Sequence, residues 1–265
     1  YLSAETMLDR KSGFFKELWN NVSDYSKTLL SKTKLEIDYT IYMPSSVSLE
    51  LENKFGDLYL NEFKGKCDIN ITHGNLRANV IHGSSHIEVG YGDVRIKEFK
   101  SGVLNLKTTD ASIQSLGEVT LNSSSSYLSI KKADQLSLDS RGDKSLRIEE
   151  VNRIKGKSLF SKLELEQVNK SIDLNMNYGE LKAGSVAFSF SKIDLEGKYT
   201  DVSLQFAPDT YLQANITAKE DQLSVPLEGI SLDRNYEDEK KRYVNLKGTM
   251  GQKNNYPGYL FINSQ

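Results

Sequence analysis

The sequence has very little cysteine and no excess of charge of either sign. Cys67 is the single cysteine among 265 residues, so an internal disulfide and a zinc site built of several cysteines are excluded. The 34 Lys and Arg residues nearly balance the 36 Asp and Glu residues, and this lacks the positive surplus that nucleic-acid binding needs. No apolar run approaches the roughly 20 residues that cross a bilayer as a helix. These absences argue against nucleic-acid-binding, disulfide-stapled and transmembrane classes.

An internal repeat is present instead. Three stretches align without gaps, at 51–58, 69–76 and 87–94. Their glycines, Gly56, Gly74 and Gly92, are spaced by 18 residues, and Gly179 occupies the same place in a later unit. Asn, Asp, Ser and Gly between the apolar runs are typical of turns, where positive φ is useful. We therefore predict these glycines to be structural turn residues of a repeat protein.

Apolar columns extend the repeat over about eight units with a period of 17 or 18 residues. One column reads Leu60, Ala78, Ile96, Ile113, Ile130, Ile148, Leu165, Ala183 and Leu204. Within a unit, apolar and polar residues alternate, which is the period of a half-buried strand. A strand that recurs with the same facing can lie parallel on its copy one coil away, at about 4.8 Å. The sequence therefore predicts an all-β fold, a parallel β-helix (β-solenoid) with 17–18 residues per coil.

Aromatic residues recur at the predicted turns. They are Phe55, His73, Tyr91, Phe160, Tyr178 and Tyr199. An outward row would give a ladder of rings on which sugars stack. The alternative, which we prefer, is that the rings stack on one another at a corner of the solenoid.

The two ends of the chain depart from the repeat. Residues 12–31 have apolar residues at helical spacing, which predicts an amphipathic helix that caps the first coil. A membrane-surface role is the weaker interpretation, because the helix has no strongly basic face. At the other end, 211–217, 242–247 and 258–263 resemble strands that close the last edge. We expect a helical cap at 1–33, solenoid repeats at 34–207, and C-terminal strands at 208–265 that complete the same domain.

Three histidines, His73, His82 and His86, fall in adjacent coils and raise the question of a metal site. His73 replaces an aromatic residue of the turn column, and His82 matches lysines of other coils. We therefore predict no metal site and no cofactor.

Two classes of β-helical enzyme are weighed. Left-handed hexapeptide acyltransferases are disfavoured, because every sixth residue from Leu51 includes polar Asp57, Asn75 and Asp93. Polysaccharide lyases and glycosidases need clustered outward carboxylates. Outward acids occur here, but they alternate with Lys54, Lys66, Arg77, Arg95 and Lys97, which predicts ordinary solvated faces with ion pairs between coils. No catalytic residue is predicted.

Three elements of the sequence together resemble a known family. They are Ile37-Asp-Tyr-Thr-Ile-Tyr-Met-Pro44, then 49–58, then repeated units such as Tyr91-Gly-Asp-Val94 and Tyr178-Gly-Glu-Leu181. This order resembles the bacterial adhesin family of β-strand-repeat domains of unknown function, related to head GIN and toast-rack domains. The resemblance implies a right-handed parallel solenoid in an exported, periplasmic or cell-surface protein, and it transfers no catalytic residues.

These observations favour a non-enzymatic cell-envelope scaffold that binds an envelope protein or a glycan. A carbohydrate-active β-helix enzyme is the first alternative. A structural module that senses envelope stress is the second.

Overall fold

The computed structural model describes residues 38–225, 230–236, 242–251 and 257–264. The helix predicted at 12–31 lies outside these residues. The chain forms two compact units, Tyr1–Met43 and Pro44–Gln265. In the first unit, the described residues 38–43 have no regular secondary structure.

The described residues of the second unit form 14 β-strands in one continuous sheet. They are β1 (Leu49–Lys54), β2 (Leu58–Phe63), β3 (Cys67–Thr72), β4 (Leu76–Gly90), β5 (Asp93–Lys107), β6 (Asp110–Ser124), β7 (Tyr127–Arg141), β8 (Ser145–Leu159), β9 (Lys162–Val186), β10 (Lys192–Phe206), β11 (Leu212–Lys219), β12 (Ile230–Tyr236), β13 (Tyr243–Met250) and β14 (Gly258–Ser264). A 3-10 turn at Glu220–Gln222 is the only helical element among the described residues. No helix in this part of the chain is long and apolar enough to cross a membrane.

Strands β4 to β10 stack in parallel, each on the strand before it. Ile96 pairs with Ile113, Ile113 with Ile130, and Ile130 with Ile148, so equivalent residues of successive coils lie side by side. The stack makes about nine turns. The predicted all-β parallel solenoid is therefore confirmed, and the sequence period is its coil length.

The core is the column of apolar side chains that alternation directs inward. Ile96, Ile113, Ile130, Ile148 and Leu165 are all buried. Removing such a side chain from water contributes about 1.5–3 kcal/mol before the loss of conformational entropy is counted. Burial of the same column in every coil is what fixes the register of the parallel strands.

At one corner of the solenoid, one residue of each coil has a left-handed backbone conformation. These residues are Phe55, His73, Tyr91, Thr108, Ser125, Gly142, Phe160, Tyr178 and Tyr199, with φ between 52° and 63°. Positive φ therefore falls mainly on large side chains, and not on the small residues to which the sequence pattern assigned it. The rigid stacking of coils holds these residues in a conformation that most L-amino acids disfavour.

The glycine that follows the aromatic residue is required by space. A Cβ on Gly74 would lie 1.9 Å from the backbone oxygen of Gly56, and one on Gly92 would lie 2.0 Å from that of Gly74. On Gly179 it would lie 2.3 Å from the oxygen of Ser161. Gly56, in the first coil, faces only the side chain of Asn53, whose amide donates to the Gly56 oxygen at 2.7 Å.

Polar residues replace this glycine in the middle coils. The side chains of Ser126, Asp143 and Ser161 each accept a hydrogen bond from the backbone N–H of the preceding coil. Thr109 N donates to Ser126 Oγ at 3.1 Å, Ser126 N to Asp143 Oδ1 at 2.8 Å, and Asp143 N to Ser161 Oγ at 3.0 Å. All four side chains are buried, so this polar column is an interior part of the turn.

The C-terminal strands close the last coil with a change of direction. The order along the sheet is β10, β14, β11, β13, β12. Strand β14 is parallel to both β10 and β11, whereas β13 is antiparallel to β11 and β12. The strand that comes last in the sequence thus lies between two that precede it.

Candidate functional site

The predicted aromatic residues form two ring stacks on one corner of the solenoid, which we call the aromatic corner. The first stack contains Phe55, His73 and Tyr91. Its ring centroids are separated by 5.3 Å between Phe55 and His73 and by 4.9 Å between His73 and Tyr91, with interplanar angles of 5° and 15°. The rings are therefore nearly parallel and in contact.

The second stack contains Phe160, Tyr178 and Tyr199. Both neighbouring pairs have centroids 4.9 Å apart and planes inclined by 19°. This spacing matches the strand separation of about 4.8 Å, because each ring projects from the same turn position of its coil. Between the two stacks the same position holds Thr108, Ser125 and Gly142, so the corner has a stretch without rings.

The rings of the aromatic corner are also exposed to solvent. The exposed fraction is 80% for Phe55, 46% for Tyr91, 61% for Phe160, 46% for Tyr178 and 59% for Tyr199. Stacking on neighbours covers their faces, while their outer edges remain accessible. The two interpretations weighed from the sequence are thus compatible, since the rings both stack on one another and point outward.

Lysines lie beside the ends of both stacks. Lys107 Nζ is 6.0 Å from the ring centroid of Tyr91, and Lys198 Nζ is 5.7 Å from that of Tyr199. A cation at this distance is attracted by the ring face. The corner therefore presents apolar edges flanked by positive charge.

The three histidines do not converge. His73 belongs to the first ring stack, His82 Nε2 lies 3.2 Å from Glu62 Oε1, and His86 Nε2 lies 3.3 Å from Asn105 Nδ2. Within the described ranges, no group of three or more His, Cys, Asp and Glu side chains is placed to hold a metal ion.

Several outward carboxylates are paired with lysines of neighbouring coils. Glu150 lies 3.0 Å from Lys132 Nζ, and Glu180 lies 2.7 Å from Lys162 Nζ. The hydrogen bond from Lys132 and a second from Asn169 lower the pKa of Glu150, and Lys162 lowers the pKa of Glu180. These carboxylates are therefore held in the ionised form.

A cluster of three cations that sequence analysis missed lies on the sheet face that follows the aromatic corner along the chain. Arg77 and Arg95 are register partners on β4 and β5, and Lys97 lies two residues further along β5. None of the three has an ion pair within 4.0 Å in the described part of the chain, so the predicted ion pairs between coils are not found at these residues there. Aligning the charged residues by the repeat would have revealed that the two arginines face each other.

These cations border a groove of about 610 Å³, which we call the basic groove. Its lining includes Tyr59, Asn61, Arg77, Arg95, Lys97 and Gln114. The groove is open and crosses several coils, so it is shaped for an extended ligand.

Comparison of the chain with family models, with curated proteins and with solved structures returned no match.

Proposed function

We propose that this chain is a non-enzymatic binding scaffold of the bacterial cell envelope, which holds a glycan or an envelope protein at the aromatic corner. The observation that carries the proposal is the exposure of five large aromatic side chains, gathered in two ring stacks on one corner of the fold. Exposed apolar side chains gathered in patches, as in each stack, are typical of binding surfaces, whereas scattered ones are not.

The aromatic corner is rigid before any ligand arrives. Each ring is fixed by a left-handed backbone and by a ring on the next coil, as for Tyr178 between Phe160 and Tyr199. Binding to such a surface loses little side-chain entropy, because the rotamers are already restricted. The arrangement therefore favours recognition by a fixed platform.

Two of the outward carboxylates, Glu150 and Glu180, do not suit the acid role in glycoside cleavage. A glycosidase needs one carboxylic acid with a raised pKa to protonate the leaving group. The lysine partners of Glu150 and Glu180 shift the pKa of both carboxylates in the opposite direction.

The proposal includes a right-handed winding and an exported location, either periplasmic or at the cell surface. A right-handed path is the usual one where parallel strands of a sheet are joined by crossovers. The exported location and membership of the adhesin family are inferred from the sequence elements at 37–58 and from the repeated Tyr-Gly units.

The test is binding of the chain to a glycan array and to purified envelope proteins, with variants of the aromatic corner. Tyr91→Ser and Tyr178→Ser introduce a residue that the chain itself uses at this turn, at Ser125. Tyr259→Ser removes an exposed tyrosine on β14 and is the matched control. We expect the two corner variants to lose about tenfold or more in affinity, the scale of one well-placed aromatic contact.

Two results would overturn the proposal. The first is a wild-type chain that binds no glycan and no envelope protein above background. The second is turnover of a polysaccharide by the chain, which would make it an enzyme.

A further inference from the structure

We propose that the basic groove binds a chain of acidic sugars such as a polyuronate, with carboxylates of successive sugars held by Arg77 and Arg95. This deepens the binding function proposed above and rests on it only for the scaffold role, because the groove lies on a sheet face and the aromatic corner lies on a turn.

The facing arginines are the first argument. Arg77 and Arg95 are partners in the parallel register, one strand spacing of about 4.8 Å apart. Like charges directly opposite each other on a sheet are destabilising. An anion that bridges the two guanidinium groups would remove this repulsion, so the pair is better suited to the bound state than to the free one.

The groove gathers three cations, Arg77, Arg95 and Lys97, that have no ion pair within 4.0 Å among the described residues. On other faces some lysines are matched across coils, as for Lys132 with Glu150 and Lys162 with Glu180. Of the acids around the groove, Glu62 pairs with Lys64 and His82, and Glu98 pairs with Lys100. Asp93 and Asp110 lie in the row before Arg95 and Ser112, and neither forms an ion pair within 4.0 Å with a groove cation among the described residues.

No acid lies among the outward positions that line the groove. The outward positions at 59–61, 77–79, 95–97, 112–114 and 129–131 hold Arg77, Arg95, Lys97 and Lys131 and no Asp or Glu. This uncompensated charge makes the groove a site for an anion.

The remaining lining of the groove suits a sugar. Tyr59 is 64% exposed, and the guanidinium carbon of Arg77 lies 5.5 Å from its ring centroid. Asn79 Nδ2 donates to Asn61 Oδ1 at 2.8 Å, and each amide keeps further donor and acceptor capacity. An aromatic ring, amides that can bond hydroxyl groups, and guanidinium forks that match carboxylates together give the chemistry of an acidic sugar chain.

The geometry favours an extended polymer over a compact ligand. Tyr59, Arg77, Arg95 and Ser112 follow one another in register on successive coils. The groove thus runs along the solenoid axis, and this column offers one side chain per coil. A polyuronate carries its carboxylates at regular intervals along an extended chain, which matches this arrangement.

The test is calorimetric titration of the full chain with oligogalacturonate. The methyl ester of the same oligosaccharide removes the charge and keeps the sugar, and carrageenan, a sulfated galactan without uronic acid, tests whether sulfate can replace the carboxylate. We expect the free acid to bind about tenfold or more tightly than its ester, and the binding to weaken as salt rises.

The variant for this test is Arg77→Gln combined with Arg95→Gln, which we expect to reduce the affinity for oligogalacturonate by about tenfold or more. The matched control is Arg147→Gln, since Arg147 lies in the same outward column but pairs with Glu166. The control should bind like the wild-type chain. Circular dichroism of each variant checks that the solenoid is intact.

Three results would overturn the inference. They are absence of binding to every acidic glycan tested, equal affinity for the double variant and the wild-type chain, and equally tight groove-dependent binding of single-stranded DNA or polyglutamate. If neutral glycans or envelope proteins still bind through the aromatic corner, the scaffold function stands without the basic groove. If binding at the aromatic corner is also absent, both proposals fail.

Discussion

A large aromatic side chain in a left-handed turn has an energetic cost that its position in the stack offsets. Non-glycine residues with positive φ are uncommon and cost on the order of 1 kcal/mol. Tyr178 has φ of 53° and contacts a ring on each side, at 4.9 Å to Phe160 and 4.9 Å to Tyr199. At Tyr178 the stabilisation from ring stacking therefore opposes the energetic cost of positive φ. Substitutions at this residue can measure the two contributions separately.

We predict that Tyr178→Ala lowers the free energy of unfolding by about 1–2 kcal/mol, because both ring contacts are lost and the strain remains. Tyr178→Gly should cost less, because glycine adopts positive φ without strain, as Gly142 does at the equivalent position with φ of 63°. Urea denaturation measures both values. Equal stability of the alanine and glycine variants would show that strain at this residue is negligible.

Gly92 tests the close approach of coils. We predict that Gly92→Ala is destabilising by about 2–3 kcal/mol, since its Cβ would lie 2.0 Å from the backbone oxygen of Gly74. Gly90→Ala is the control, because its Cβ would meet nothing nearer than the Lys107 oxygen at 4.0 Å. The control should stay within about 1 kcal/mol of the wild-type chain or exceed it. A well-tolerated Gly92→Ala would mean that the coils can separate locally at little cost.

Cys67 provides a probe of opening. Burial raises the pKa of its thiol to about 11, only partly opposed by Ser85. At pH 8 the thiolate that reacts with disulfide reagents is therefore scarce, and it is shielded. We predict labelling with such a reagent to be slow in the folded chain and rapid in denaturant. Complete labelling of the folded chain within minutes would place Cys67 in a region that opens readily.

At the scale of the structural element, the turns use two solutions to the same packing problem. Glycine follows the left-handed residue in the first three coils and after Tyr178, whereas middle coils have a buried polar side chain such as Ser126 or Asp143. Glycine allows close backbone approach. A polar side chain fills the space and accepts the backbone N–H of the preceding coil, as Asp143 does from Ser126 N at 2.8 Å.

Asp143 is the centre of the polar solution. Its carboxylate accepts hydrogen bonds from Ser126 N at 2.8 Å, from Ser140 Oγ at 2.6 Å and from Ser123 Oγ. We predict that Asp143→Ala destabilises by about 3 kcal/mol or more, because several buried donors lose their acceptor. Asp143→Asn keeps one acceptor oxygen and should cost less. The control Asp110→Ala changes an exposed residue.

Thermal and urea unfolding of these three variants give the comparison. If Asp143→Ala matched Asp110→Ala, water would have to satisfy the buried donors, and the polar column would add nothing to stability.

The β-strands could be predicted from the sequence where they follow the repeat of 17 or 18 residues. Columns such as Ile96, Ile113 and Ile130 fix which residues face the core, because alternation and the repeat agree. The strands predicted at 211–217, 242–247 and 258–263 correspond to β11, β13 and β14. Their order in the sheet was not predictable, because these strands lie outside the repeat and no period relates them.

The candidate site was predictable in part. The aromatic column follows the period, but positive φ at Phe55 and Tyr91 does not, because propensity assigns that conformation to small residues and the coil geometry overrides it. The facing of Arg77 and Arg95 was available from the 18-residue step and was overlooked. Their lack of acidic partners depends on where neighbouring side chains turn, which only the structure shows.

At the scale of the whole molecule, ion pairs between coils tie the outer faces together. Glu150 and Glu180 have lowered pKa values because of Lys132 and Lys162. A carboxylate whose pKa is lower in the folded than in the unfolded chain stabilises the fold above its unfolded pKa, near 4.3 for glutamate. That contribution is lost as the pH falls through the lower folded pKa.

We therefore predict that the urea midpoint decreases between pH 6 and pH 3. The double variant Glu150→Gln, Glu180→Gln should be less stable than the wild-type chain at pH 6 and should approach it at pH 3. Glu118→Gln is the control, because no ion pair of Glu118 is found within the described residues. A constant difference between the double variant and the wild-type chain at both pH values would show that these pairs do not cause the acid sensitivity.

The placement of β14 between β10 and β11 has a consequence for the order of events on the ribosome. Coils from β1 to β10 can be added one after another as the chain emerges, each using the previous coil as its template. Strands β11 to β13 emerge next, yet their only hydrogen-bonded connection to β10 in the described sheet is through β14. The C-terminal strands can therefore join the sheet at β10 only after β14 has been synthesised. Until then the edge of β10 is an open end of the solenoid that chaperones or a second nascent chain can reach.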